Sequence, residues 1–275
     1  DYPDCFEEKY CIGSVYGTFP GAVWNGGRAV FGITGIKDIR AILKLYNDRG
    51  VPVRFTWTNS LLEEKHIYDT YCNLIMKEAD NGMNQVLVNR PVLEEYIRRQ
   101  YPGFKLISST TKRITGLDGL LEELNKDYFL VVLDYDLNHN EEVLSAIGKQ
   151  ADKVEILVNE ICYPGCPKRS EHYRQQSQMQ LEYDIDTAFP CPNKTRERKF
   201  EECKERPSFI SREQIREYVD RGFVNFKIVG RGMPMDFVKE SYLYYLVKDD
   251  SRAFIRNKME STLNQFAQAM KKRKA

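Results

Sequence analysis

The sequence has almost no net charge and no long apolar run. Both absences exclude classes of function. Lysine and arginine number 41 against 40 aspartates and glutamates, so no general attraction to nucleic acid or anionic membranes is predicted. No apolar run approaches the ~20 residues that span a bilayer. No signal-peptide pattern follows Asp1, and seven cysteines in 275 residues are too sparse for a disulfide scaffold. These features favour a cytoplasmic protein without a membrane partner.

Several motifs of well-known enzyme classes are also missing. There is no H-E-x-x-H and no G-x-S-x-G, and the only histidines are His66, His139 and His172. No G-x-G-x-x-G follows an early strand, which argues against a dinucleotide-binding sheet. Hydrolysis therefore has no local motif in its favour.

The seven cysteines are unevenly distributed along the chain. Four of the seven lie between residues 154 and 203: Cys162, Cys166, Cys191 and Cys203. Neighbouring prolines and Gly165 place the first three in loops, which suits ligands better than core packing. Such a group predicts a site for a soft metal or an iron–sulfur cluster. Two alternatives stay open: zinc with His172 as a further ligand, and ordinary buried or disulfide-bonded cysteines.

Hydrophobic periodicity predicts seven strands that alternate with helices. The predicted strands are 11–17, 51–59, 85–89, 104–108, 128–133, 154–158 and 224–229. The predicted helices are 36–49, 61–81, 92–100, 117–124, 141–150, 212–221, 235–248 and 256–272, and Cys72 is expected in the core. This order favours a single α/β domain over 1–275, a TIM-type barrel that is incomplete or distorted, with a cysteine-rich insertion at 160–208. An open doubly wound sheet is the alternative.

Polar residues follow the ends of most predicted strands, as expected for the mouth of such a barrel. We expect Asn59, Asn89, Ser109 and Thr110 to bind substrate. Glu160, beside the cysteine loop, is the candidate for proton transfer, with Asp134 as a further catalytic candidate. Lys227 and Arg231 would hold an anionic substrate or balance the charge of a cluster. The alternative for both cations is a plain ion pair with Asp134, Asp136 or Glu160.

These elements resemble a known family. The chain carries Ser109-Thr110 after the fourth strand, an acidic pair after the fifth, a cysteine loop after the sixth, and the late segment 226–231, FKIVGR. Over roughly 12–242 this pattern resembles the collagenase-like U32 peptidases. The resemblance implies a strand–helix barrel and a [4Fe–4S] cluster on Cys162, Cys166, Cys191 and Cys203, with Cys5 or Cys11 as substitutes for the last.

The resemblance also implies three functions. The first is oxygen-independent hydroxylation, or a related redox modification, of a small-molecule or RNA substrate. The second is a peptidase that is metal-dependent or of unassigned catalytic type. The third is a non-catalytic scaffold subunit whose metal only stabilises the fold, and a homodimer or heterodimer partner is expected for such a subunit.

Overall fold

A computed structural model describes residues 2–191 and 198–274, with side chains to residue 269. Seven strands form one parallel sheet whose spatial order follows the chain order. The strands are β1 (Val15–Gly17), β2 (Val53–Trp57), β3 (Gln85–Val88), β4 (Lys105–Ser108), β5 (Leu130–Val132), β6 (Val154–Leu157) and β7 (Asn225–Lys227).

Helices connect the strands. They are α1 (Ile36–Asn47), α2 (Thr70–Ala79), α3 (Pro91–Gln100), α4 (Leu117–Leu124), α5 (Glu141–Ile147), α6 (Arg169–Glu182), α7 (Phe200–Lys204), α8 (Arg212–Asp220), α9 (Met235–Leu246) and α10 (Arg252–Lys274). A capping box formed by Ser211 and Gln214 begins α8. None of the described helices is both long and apolar enough to cross a membrane.

The sheet curls into a half-barrel that fits an incomplete TIM-type barrel. Its order shows no reversal, which a doubly wound sheet requires. β1 and β7 are the two edges, and they approach each other without pairing as strands. The Tyr16 hydroxyl donates to the Ile228 carbonyl at 2.9 Å, and the Lys227 ammonium lies 4.1 Å from the Tyr16 ring centroid. Side chains therefore join the two edges where an eighth strand would otherwise close the barrel.

Strand residues are buried on both faces of the sheet, as parallel sheets require. The larger core lies between the strands and the helices and includes Cys72, as predicted. A smaller cluster fills the inside of the curl: Leu87, Ile107, Leu130, Val132, Tyr135, Leu157 and Val229. This inner cluster forms the floor beneath the carboxyl ends of the strands.

The predicted elements differ from the structure mainly outside the strands. The predicted helix 61–81 is a 3-10 turn at Glu64–His66 followed by α2, because Asp69 caps a new helix by accepting from the Cys72 N–H. Two helices were missed, α6 and α7. Both lie in the predicted insertion 160–208, between β6 and α8, of which residues 192–197 are outside the described part. The polar sequence of α6 has no apolar stripe, so periodicity could not reveal it.

Candidate active site at the carboxyl ends of the strands

A cavity of about 140 Å³ opens at the carboxyl ends of the strands. The turns that follow β2, β4, β5, β6 and β7 all contribute side chains to its wall, and α6 covers one side. Its polar lining residues include Tyr16, Arg28, Thr56, Thr58, Ser109, Thr110, Thr111, Tyr135, Glu160, Cys162, Arg169, His172, Tyr173, Cys191, Arg198, Glu202, Arg206, Lys227 and Arg231. The polar strand ends predicted a functional mouth at this end of the sheet, and the cavity lies there.

Most of the predicted site residues line this one cavity. They are Ser109, Thr110, Glu160, Cys162, His172, Cys191, Lys227 and Arg231. The Ser109 hydroxyl accepts the Thr111 N–H at 3.2 Å and so shapes the turn after β4. The Glu160 carboxylate accepts the Cys162 N–H at 3.0 Å and lies 4.0 Å from Arg28.

Two residues predicted to bind substrate, Asn59 and Asn89, lie behind the wall. Asn59 is buried and donates to the carbonyls of Val23 and Ser177, each at 3.0 Å. Asn89 donates to the Thr111 hydroxyl at 3.0 Å. Because their amide groups are used in these contacts, both asparagines position loops of the cavity and do not line it.

Asp134 also lies behind the cavity, in an ion cluster. It accepts from Arg169 at 2.5 and 2.7 Å and from Arg113 at 2.9 Å. Burial raises the pKa of Asp134, while the Asp136 N–H and Arg113 lower it. Asp136 accepts from both arginines and also from the Gly165 N–H in the cysteine loop. The cluster thus fixes that loop to the end of β5.

Lys227 has a different ionic partner from those predicted. Its ammonium lies 3.6 Å from Glu155, which also accepts from Arg54 of β2. Burial lowers the pKa of Lys227 to about 8, although Glu155 opposes the shift. The ion pair expected with Asp134, Asp136 or Glu160 is therefore wrong for Lys227, because Glu155 faces the inside of the curl from the neighbouring strand β6.

Arg231 has no carboxylate partner among the contacts described. It donates to Asn25 Oδ1 and Thr56 Oγ1, each at 2.6 Å, and to the Gly26 carbonyl at 2.8 Å. Burial lowers the pKa of Arg231 to about 10, and the nearby guanidinium of Arg28 lowers it further. Arg231 is therefore a cation fixed by neutral oxygens, and the ion pair expected for it is wrong as well.

The cysteine loop brings three free thiols into one neighbourhood. Burial raises the pKa of Cys162 to about 11; contact with Tyr135 lowers it, and Glu160, Cys166 and Cys191 raise it. Cys162 and Cys191 line the cavity. Cys203 lies in α7, buried in the core, with a pKa raised by burial and by Glu160. The substitutes are elsewhere: Cys5 packs near α9 and α10, and Cys11 is exposed.

The chemistry of these thiols and their positions suit a metal bound by thiolates. They are free, and Glu160 is an electrostatic neighbour of both Cys162 and Cys203. Arg231, whose described contacts are all with neutral oxygens, suits a negatively charged group. However, no three His, Cys, Asp or Glu side chains of the described residues are grouped as a preformed metal site. A metal would have to draw the thiols together, as often occurs when binding and folding are coupled.

His172 lines the same cavity but is engaged with an aromatic ring. Its imidazole stacks on Phe189, with centroids 4.4 Å apart. Burial lowers the pKa of His172, and the positive charges of Arg28 and Arg198 lower it further. A neutral imidazole is competent to bind a metal.

Several residues of the cavity were not predicted from the sequence. Arg28 and Tyr16 come from the amino-terminal segment, Tyr135 from the turn after β5, and Arg169 and Tyr173 from α6. Only Arg28 carried a signal, its position after Gly26-Gly27. The α6 residues had none, because that helix shows no amphipathic pattern.

Comparisons with known proteins agree with this architecture. No family model matches the sequence. The chain is 26% identical over 242 residues to "Uncharacterized protease MJ1657" of Methanocaldococcus jannaschii, an alignment that covers 84% of this chain and 71% of that protein. The fold is similar to that in "The Structure of the U32 Peptidase Mk0906", with a TM-score of 0.54 and 18% identity, over 81% of this chain and 86% of the other.

Proposed function

We propose, from the relationship of this chain to the U32 peptidases, that the cavity is the active site of a redox enzyme. The observation that carries the proposal is that Cys162 and Cys191 line the cavity, and that Cys166 and Cys191 are both electrostatic neighbours of Cys162. In this proposal they hold an iron–sulfur cluster with Cys203, and zinc with His172 is the alternative site. The reaction would be an oxygen-independent hydroxylation or a related redox modification.

Thiolates suit iron–sulfur clusters, and a bound cluster supplies electron transfer. The raised pKa of Cys162 means that the thiol is protonated at neutral pH without a metal. It is then a poor nucleophile, because the thiolate is the reactive form. Metal binding would remove that proton. The loop is thus better suited to ligation than to a cysteine-peptidase reaction.

The other cavity residues have roles that follow from their contacts. Arg28 and Arg231 would bind the negative charge of a substrate. Glu160 lies between Arg28 and the cysteine loop, where its carboxylate can exchange a proton with a bound substrate. Lys227, with a pKa of about 8, can also change protonation near neutral pH. A cavity of about 140 Å³ favours a small molecule, or a single base of an RNA, as the reacting part.

The first test measures the iron and acid-labile sulfide content of protein purified without oxygen. We expect both in stoichiometric amounts, and we expect Cys162→Ala to lose them. The matched control is Cys11→Ala, because Cys11 is an exposed thiol outside the cavity. Unchanged iron in Cys162→Ala would refute the ligand assignment. Zinc in place of iron would refute the cluster and favour the zinc site.

A peptidase is the second candidate, supported by the names of the two similar proteins, a protease and a peptidase. Metal-defined protein should then cleave casein or denatured collagen, and Glu160→Gln should stop the cleavage because a metal-bound water needs a base. Protein that binds metal but converts no substrate would instead favour the scaffold role.

A further inference from the structure

Two glycine-containing turns meet beside the two arginines of the cavity. Gly27 follows β1 with φ +74°, and Gly232 follows β7 with φ +72°. A Cβ on Gly27 would lie 3.3 Å from Arg231 Nη2 and 3.4 Å from the Thr111 methyl. A Cβ on Gly232 would lie 2.9 Å from Arg28 Cδ. Because Gly27 has no side chain, there is space in front of the Arg231 guanidinium. The absence of a side chain on Gly232 allows Arg28 to approach.

Among the described contacts, a single carboxylate, that of Glu160, faces the two positive charges at this place. Arg231 is held by three neutral oxygens, and Arg28 has one described ionic contact, 4.0 Å from Glu160. Arg28 is close enough to Arg231 to lower the pKa of the Arg231 guanidinium. Bringing two guanidiniums together in a partly buried site costs free energy unless an anion binds between them.

We infer that Arg28 and Arg231 form an oxyanion subsite that binds a carboxylate or phosphate group of a small substrate. The subsite deepens the proposed active site but does not depend on the identity of its metal. Arg231 is fixed before the ligand arrives, so little side-chain entropy is lost there. Arg28 is less constrained and would close on the ligand from the opposite side, while Gly27 leaves room for the oxyanion.

The test is titration calorimetry of the purified holoprotein with malonate and, separately, with inorganic phosphate, at matched ionic strength with chloride as the reference. We expect saturable binding of at least one of the two, and the tighter one identifies the group. Arg28→Gln should weaken this binding about tenfold or more, because it removes one of the two charged donors of the subsite. Arg40→Gln is the control, because Arg40 forms an exposed pair with Glu78 away from the cavity.

Arg231→Lys provides a second variant that keeps the charge but loses the planar fork. We expect weaker binding here also, and a thermal melt reports whether the contacts of Arg231 were needed for folding. Absence of saturable binding, or equal affinity in the wild type and Arg28→Gln, would overturn the subsite. Iron content measured on the same samples separates this result from the cluster, because Arg28→Gln should keep the metal.

Discussion

Lys227 shows how a single buried charge can report on this site. Its ammonium lies between Glu155 and the Tyr16 ring, with the positive charges of Arg54 and Arg231 nearby. Burial is the largest cause of its low pKa, so the folded state binds the proton less tightly than the unfolded chain does. The residue type alone predicted a cation at this position. Its ionic partner, Glu155, and its lowered pKa depend on how the sheet curls.

We predict that the stability of the protein relative to Lys227→Met increases with pH. Above the folded pKa of about 8 the native lysine is neutral, whereas the unfolded lysine keeps its proton until its ordinary pKa of 10.5. The free energy of unfolding of the wild type should therefore rise relative to the variant by about 2 kcal/mol from about pH 7.5 to about pH 9.5. Urea unfolding of both proteins at several pH values measures this. A difference that does not change with pH would contradict the lowered pKa.

At the scale of elements, α6 is a partly buried helix that polar contacts hold to the rest of the domain. Gln180 accepts from the Val30 N–H at 2.7 Å and from Asn25 at 3.0 Å, and it donates to the Val30 carbonyl at 3.1 Å. Ser177 contacts Ser60 and accepts its N–H at 3.0 Å. These bonds attach α6 to the segment that carries Arg28, so the helix shapes the cavity through its polar face.

We predict that Gln180→Ala lowers the free energy of unfolding by about 1–3 kcal/mol, because the Val30 N–H and one amide hydrogen of buried Asn25 lose their acceptor. Gln178→Ala in the same helix is the control, since Gln178 is exposed and bonds only to Glu182 among its described contacts. The control should change stability by less than about 0.5 kcal/mol. Equal effects of the two substitutions in denaturant titrations would show that α6 is not held by its glutamine contacts.

At the scale of the whole molecule, the unclosed barrel depends on contacts across its two edges. Tyr16 on β1 donates to the carbonyl after β7, and Arg231 reaches the Asn25 side chain and the Gly26 carbonyl. These contacts join the first and last strands, which are 212 residues apart at the Tyr16 bond. The same arginine that we assign to ligand binding therefore also helps to keep the half-barrel curled.

We predict that Tyr16→Phe weakens the contact between the edge strands β1 and β7 without unfolding the sheet. The loss of one hydrogen bond should cost about 1 kcal/mol and speed amide hydrogen exchange in β1 and β7. Exchange in the central strand β4 should stay unchanged. Tyr68→Phe, at an exposed position, is the control. Equal exchange in β1 and β7 of the variant and the wild type would show that the Tyr16 bond does not hold the edges.

The sequence by itself determined the number and order of the strands, because each strand is a short apolar run bounded by polar or turn residues. It also indicated the end of the sheet at which polar groups collect, since parallel strands place their carboxyl ends together. The cysteine loop was visible for the same local reason: its residues are close in the chain.

Only the tertiary structure decided which side chains meet. The partner of Lys227, the position of Arg28 beside Arg231, and the burial of α6 depend on contacts between distant segments. No local pattern encodes such contacts, because helical and strand periodicities report one face of one element. The ionic state of the cavity likewise follows from burial and neighbouring charges, which exist only after the chain has curled.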